Sequence, residues 1–498
     1  MQSVVPESRL HVLSDHPPNL QGDFVVYWMS AFRRLAFNFA LDRAVEWSAR
    51  LKKPLVIFEP LRVDYPYACD RFHRFIIDGM IEKASELSEK GVFYFPFVER
   101  DHREAKKIWA SLVSCAAVVV GDASPAFFFP HMQKKAASLL HEWGIRFEAV
   151  DSCGLIPLRI TPHAFASAFE CRRFAQKVLP KHLEAFPSSD PLACEWVRCN
   201  SHPLPPFLEE VRQSQLDAIR QPESLVASLP VDHSVSALTI RGGSRPARER
   251  LKAFLRRGIL SYAENRHHPD EEASSGLSPW LHFGHMSTFE VLFGIGEEYD
   301  WSPKCLEPFS KGQKLGWWKL PESVEAFLDE LVIWRELGLI RCYHTDDYAR
   351  WEGLPAWARH TLEAHQKDPR PFICTVEMLE EAKSPDPIWN AAMQELRETG
   401  RIHNYMRMIW GKRVLEWFAN PREAWEALIY LNDKYAIDGR DPNTYTSIGW
   451  VFGAYDRPWA PERPIYGKVR YMSSEAARRK LRMENWLARW GRSSPTLY

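Results

Sequence analysis

The chain has 498 residues, with 64 Lys and Arg balanced by 64 Asp and Glu. That length exceeds what one compact core fills and implies two or three domains. Zero net charge excludes a global field for a polyanion, so any nucleic-acid site has to be a local basic patch.

The nine cysteines, Cys199 among them, are scattered, odd in number and free of C-x-x-C pairs. This argues against a disulfide framework or a zinc site and for a reducing compartment, and no metal is expected. The N-terminus lacks a basic stretch followed by an apolar core, and no apolar run approaches membrane length. A cytoplasmic protein without a membrane span is expected.

Between Asp23 and Val150, apolar runs alternate with amphipathic stretches. Strands are predicted at Phe24–Met29, Pro54–Phe58, Val92–Pro96, Ala116–Val120 and Ile145–Val150. Helices are predicted at Leu35–Leu51, Arg71–Lys90, Asp101–Val113 and His131–Trp143. This alternation predicts an α/β, doubly wound parallel sheet over residues 1–152. No G-x-G-x-x-G follows the first strand, so the dinucleotide fingerprint is missing. Residues 153–234, Pro-rich between Pro180 and Pro206, read as a connector. Residues 235–498 read as an all-α domain, with helices at Arg248–Asn265, Ser287–Ile295, Ser323–Leu337, Leu354–Gln366, Thr375–Ala382, Pro387–Thr399, Ile402–Phe418 and Pro421–Leu431.

Several constellations there could carry chemistry. Glu330 and Trp334, four apart, share a helix face, so an indole could stack a planar ligand beside an acid; on spacing alone a core Trp next to a solvated Glu is the simpler reading. Tyr262 and the turn Ser274, Ser275, Gly276, Leu277 and Ser278 offer hydroxyls and backbone N–H groups ahead of a helix, as a phosphate site or an ordinary N-cap would. Arg407 sits among Tyr, Met, Ile and Trp and needs an acid, which the turn Asp438–Asn443 can supply as a structural or a functional pair. Trp389, Trp410 and Trp417 stand at helical spacing, as core aromatics or as an electron-hopping chain. Lys412, Arg413, Arg457, Arg463, Lys468 and Arg470, with Trp450 and Trp459 interleaved, suit either a DNA-binding face or a solvated one.

In their joint order these residues resemble the DNA photolyases of the cryptochrome–photolyase superfamily, most closely the class II cyclobutane pyrimidine dimer photolyases. The likeness runs from Val25–Ser30 (V-V-Y-W-M-S) to Gly467–Met472 (G-K-V-R-Y-M), and is dense over Leu277–Met472. The resemblance implies an α/β antenna domain and a helical FAD domain. It implies light-driven repair of cyclobutane dimers in UV-damaged DNA by a monomer; the alternatives are a cryptochrome-like photoreceptor without repair and a photolyase for another lesion. It places Tyr262, Ser274–Ser278, Arg407, Asn432, Asp438 and Arg440 around FAD, with Asn432 facing flavin N5. Glu330, Trp334, Met408 and Trp450 would meet the dimer. Trp410, Trp389 and Trp417 would carry electrons, and Arg457 and Trp459 would enter the gap left in the duplex. The antenna chromophore, a deazaflavin, a folate, FMN or none, stays open.

The sequence departs from the class II pattern at Ala31–Asn38 (A-F-R-R-L-A-F-N), at Asn404, at Thr444, at Tyr455–Arg457 and in the longer segment Glu297–Pro321.

Overall fold

A computed structural model describes residues 5–194, 203–309 and 311–491; Cys199 lies outside the described residues. The chain divides into two compact units. One comprises Met1–Thr161, Val178–Lys252 and Gly276–Lys304, the other Pro162–Lys177, Ala253–Ser275 and Cys305–Tyr498.

The first unit is built on a six-stranded sheet ordered β1-β6-β5-β2-β3-β4. The five predicted strands are β2 (Phe24–Trp28), β3 (Leu55–Leu61), β4 (Phe93–Val98), β5 (Ala116–Asp122) and β6 (Phe147–Val150), paired in parallel. Val26 faces Val56 on one side and Val119 on the other, so the most apolar runs meet at the centre. Such strands are covered on both faces, which is why they read as unbroken hydrophobic runs. The helices are α1 (Phe39–Leu51), α2 (Asp70–Lys90), α3 (His102–Ser114) and α4 (Phe129–Glu142). The sequence missed β1 (Leu10–Ser14), which pairs antiparallel with β6 and makes the sheet mixed. The stretch read as a connector contributes to this unit: Leu204 and Leu208 join the core formed by Phe93, Phe95, Ile108 and Leu112.

Helix α1 begins four residues later than predicted, because Ser30–Asn38 folds as a fixed loop. Asn38 caps α1 by accepting from Ala40 N at 3.0 Å, and its amide donates to Tyr27 Oη at 2.8 Å and to the carbonyls of Phe32 and Arg34. Asp122, at the end of β5, accepts from the backbone N–H of Ser30, Ala31 and Phe32 at 2.7–2.9 Å and from Tyr27 Oη. The strand order reverses between β5 and β2, where sheets of this class offer free N–H groups to ligands. Here a buried carboxylate satisfies them.

The second unit is helical. Its long elements are Arg335–His344, Pro387–Thr399, Asn404–Trp417, Pro421–Tyr435 and Pro442–Val451. The last was read only as a turn; Asp441 caps it, accepting from Asn443 N, and Pro442 opens it. The predicted helix Ser323–Leu337 is regular over Glu322–Leu328 and again from Arg335, and Asp329–Trp334 between them is π-helical. Wider turns of this kind are often found at functional sites. Gly338 lets Arg335–His344 cross Pro442–Val451 closely: a Cβ there would lie 2.9 Å from Thr446 Oγ1 and 3.0 Å from the Pro442 backbone. No helix among the described residues is long and apolar enough to cross a membrane.

Candidate active site

Three tryptophans of the helical unit lie in ring-to-ring contact. Trp389 lies between the other two: its ring stacks on Trp410 at 5.9 Å and 8°, and meets Trp417 edge-on at 5.5 Å and 78°. The Trp389 Nε1–H donates to the Trp410 carbonyl at 2.9 Å, which locks the helices Pro387–Thr399 and Asn404–Trp417 together. All three are buried. Core packing alone accounts for the burial; the unbroken ring-to-ring contact also makes a path for an electron.

One turn before Trp410 on the same helix, Arg407 pairs with Asp438 at 3.1 Å. The acid sits on a loop shaped by its neighbours. Arg440 adopts φ +63°, an uncommon conformation for a side chain of that size. The buried Asp433 carboxylate holds it by accepting from Arg440 N at 2.8 Å, and also receives Tyr445 Oη and the Asn432 amide, each at 3.4 Å. Asn432 donates further to Thr444 Oγ1 at 3.1 Å, so that hydroxyl fixes the amide. Asp433 escaped the sequence reading.

Glu330 and Trp334 lie at the two ends of the π-helical segment and still about a turn apart. Glu330 pairs with Arg266 at 2.8 Å, another residue the sequence did not single out. Burial holds the Glu330 carboxyl above its ordinary range, and Arg266 pulls the other way. Tyr262 is boxed edge-on between Phe254 and Phe327, with the Arg266 guanidinium 5.2 Å from its ring. Tyr262 therefore stands next to the Glu330–Arg266 pair. Met408 and Trp334 are half-buried. The Ser274–Ser278 turn contains Gly276 at φ +66° and leads into the short helix Ser278–His282, with Leu277 buried.

The basic C-terminal set divides in two. Arg457 and Lys468 are exposed, and Lys468 pairs with Glu462 at 3.2 Å. Arg470 lies 4.4 Å from the Trp459 ring and 5.9 Å from Trp450, and Arg457 covers Trp459 at 5.2 Å, so cations and indoles alternate. Lys412 and Arg413 do not belong to a solvated basic face. Lys412 is fully buried, its Nζ donating to the Val451 carbonyl and sitting 4.9 Å from the Trp450 ring. Arg413 is committed to Asp386 and Glu416. Both side chains turn inward to partners on neighbouring elements.

Burial pushes the Lys412 ammonium down to about 7, with Asp456 opposing and Arg470 reinforcing the shift. Below that value folded and unfolded chains both carry the charge, and the fold bears the full cost of burying it. Between about 7 and 10.5 the folded chain releases the proton while the unfolded chain keeps it, so stability rises with pH across that window. Lys412→Met is expected to flatten this rise, by about 1–4 kcal/mol over the window. Parallel melting-versus-pH curves for the two proteins would refute it.

Two donors on one face of Asn404–Trp417, Arg407 Nε and Trp410 Nε1, are buried without an acceptor, as is Arg266 Nε. Buried N–H groups left this way call for a partner. A flat ligand with a carbonyl edge, such as the isoalloxazine of FAD, fits that donor set.

The chain is 34% identical to the deoxyribodipyrimidine photo-lyase of Methanothermobacter thermautotrophicus over 98% of both chains. It is 33% identical to that of Oryza sativa, over 97% of this chain and 90% of the relative. No family model matches. Among solved structures, a class III photolyase from Agrobacterium tumefaciens superposes with a TM-score of 0.66 over 96% of this chain and 88% of the other, at 16% identity, which bears on fold alone. An archaeal photolyase from Sulfolobus tokodaii, described with two FAD molecules, gives 0.61 over 89% and 86% at 17% identity. A unit built on a mostly parallel, mixed sheet and a helical unit carrying buried tryptophans beside an Arg–Asp pair define a photolyase-type flavoprotein fold. The chain belongs to the deoxyribodipyrimidine photo-lyase family.

Proposed function

We propose that this chain repairs cyclobutane pyrimidine dimers in UV-damaged DNA under blue light, as a class II type photo-lyase that holds FAD and works as a cytoplasmic monomer. The observation that carries the reading is the co-location, in one helical unit, of the Arg407–Asp438 pair, the Glu330–Arg266 pair and the Trp410–Trp389–Trp417 path. FAD would be held by Tyr262, Ser274, Ser275, Gly276, Leu277, Ser278, Arg407, Asn432, Asp438 and Arg440. When bound and reduced it supplies, on excitation, the electron that opens the cyclobutane ring.

The chain's own residues orient and polarise. A damaged dinucleotide is already weakly paired, so turning it out of the helix costs less than for intact bases. Arg457 and Trp459 take its place in the stack. Trp334 and Trp450 pack against the two bases and Met408 lies along the lesion. Lys412, fixed behind Trp450, sets that indole's plane. Glu330, paired with Arg266, places a carboxyl and the Arg266 N–H groups together at the carbonyl edge of the bases. Trp417, Trp389 and Trp410 offer an inward route by which the cofactor is kept reduced.

The test is dimer loss from a defined duplex, in light and in darkness, with the flavin reduced. Glu330→Ala is expected to lower the light-dependent rate by about 10²-fold, as losing one well-placed donor does elsewhere. An unchanged rate in the variant, or no light-dependent loss by the wild type, overturns the assignment.

A further inference from the structure

Residues 311–319 lie in the segment that is longer than the class II pattern. They form a strap fastened to the elements that carry Glu330. Gly316 N and Leu320 N donate to the Glu325 carboxylate, five residues before Glu330 on the same helical run. At the other end, Gly312 N donates to Gln176 Oε1 and Gln176 Nε2 donates to the Gln313 carbonyl, both at 2.8 Å. Gln176 lies on α5 (Ala168–His182), whose Arg172 grips Asp329, the neighbour of Glu330, through two bonds of 2.7 and 2.9 Å.

The strap is also set rigidly. Trp317 and Trp318 are buried and meet edge-on at 4.8 Å. Glu307 N donates to the Trp317 carbonyl at 2.9 Å, and Glu307 pairs with Lys319 at 2.6 Å. Gly312, at φ +77°, lies directly on α5: a Cβ there would be 2.6 Å from Arg173 Cγ and 2.8 Å from the Phe169 ring.

What this framework holds outward is positive. Lys311 and Lys314 on the strap, and Arg173 and Lys177 one turn apart on α5, are all exposed. None of the four makes an ion pair among the described residues. Phe169 is 54% exposed beneath them, with Arg173 Cζ 6.0 Å from its ring. Lys314 is close enough to Glu330 to favour its ionised form. A merely solvated basic loop needs neither two buried tryptophans nor anchors at both ends.

We propose that the strap and the exposed face of α5 form a phosphate-gripping edge for the damaged DNA strand, beside Glu330 and separate from the Arg457–Trp459 region in sequence. Lys311, Lys314, Arg173 and Lys177 contact phosphates, and Phe169 offers a face to an unstacked base. The assignment rests on the photo-lyase reading. Phosphate contacts position without reading sequence, so the edge acts on damaged and undamaged duplexes alike.

The test is fluorescence anisotropy of dimer-bearing and undamaged duplexes against salt, for the wild type, K311E/K314E and R173E/K177E. Each double variant is expected to bind both duplexes at least about tenfold more weakly, and to lower the slope of log K against log salt by about 2, since each lost contact removes about 0.9. FAD content and flavin photoreduction serve as the fold check and are expected to match the wild type. Wild-type affinity and slope in both variants, while the wild type repairs dimers, overturn the strap and leave the photo-lyase reading standing. A wild type that neither binds nor repairs the dimer overturns both.

Discussion

Trp389→Phe is expected to leave FAD bound and remove most of its photoreduction, while repair by chemically reduced protein persists. The reason lies in the order of the rings. Among the described residues, the Trp389 ring is the one in contact with both Trp410 and Trp417, so the ring-to-ring route between those two runs through it. Phenylalanine keeps the hydrophobic fill and is much harder to oxidise than indole. The structural cost of the change is less than the ~3–5 kcal/mol of truncating a buried aromatic to alanine. Trp425→Phe supplies the control. That indole is equally buried, meets Phe452 edge-on at 5.4 Å and touches neither end of the path. Photoreduction rates measured on both variants separate the readings: equal losses would mean a packing effect, and a loss confined to Trp389→Phe would mean a path.

The spacing of those tryptophans was legible in the sequence, since Trp410 and Trp417 share a helix face. The central place of Trp389 was not, because it depends on how two helices pack. The same division runs through the fold. β2, β3 and β5 announced themselves as apolar runs because both faces of the sheet are covered. β1 stayed hidden because it is an edge strand with Val12 and Leu13 exposed, and its pattern resembles a loop. Pro442–Val451 carried both start signals, Asp441 and Pro442, yet D-G-R-D-P-N reads as a turn until the helix beyond it is seen.

The charged residues show the sharper limit. Lys412 sits in a run, G-K-R, that suggests a wet surface, and only tertiary packing turns it inward against Trp450. Arg266 is 64 residues from Glu330, so no local pattern could join them. The strap looked like an unexplained insertion until Glu325 and Gln176 were seen to fasten it. Residue type and spacing thus identified the aromatic and acidic candidates, while the partners that fix their charge came from contacts across the chain.

Asp433→Asn is expected to destabilise the helical unit and to empty it of flavin together. The substitution preserves volume, so what it removes is one charge and one acceptor. In the wild type, the carboxylate accepts from Arg440 N–H, Tyr445 O–H and the Asn432 amide, and faces the Arg440 guanidinium. An amide can present only one oxygen to these donors, and its own N–H₂ then faces another donor. Breaking a buried charged network of this kind costs about 2–4 kcal/mol. The loss also propagates along the chain. Arg440 is held at φ +63° by the bond from its N–H to Asp433, and Asp438 lies two residues before it. When that turn relaxes, Asp438 no longer faces Arg407, and Asn432 loses one of its two fixed partners. The variant is therefore expected to unfold at lower temperature and to emerge from gel filtration largely without FAD. Asp438→Asn, which weakens the Arg407 pair and leaves the bonds to Asp433 in place, should retain more of the flavin. Equal flavin content in the two variants would place the effect in the ion pair and remove Asp433 from its role as the keystone of the turn.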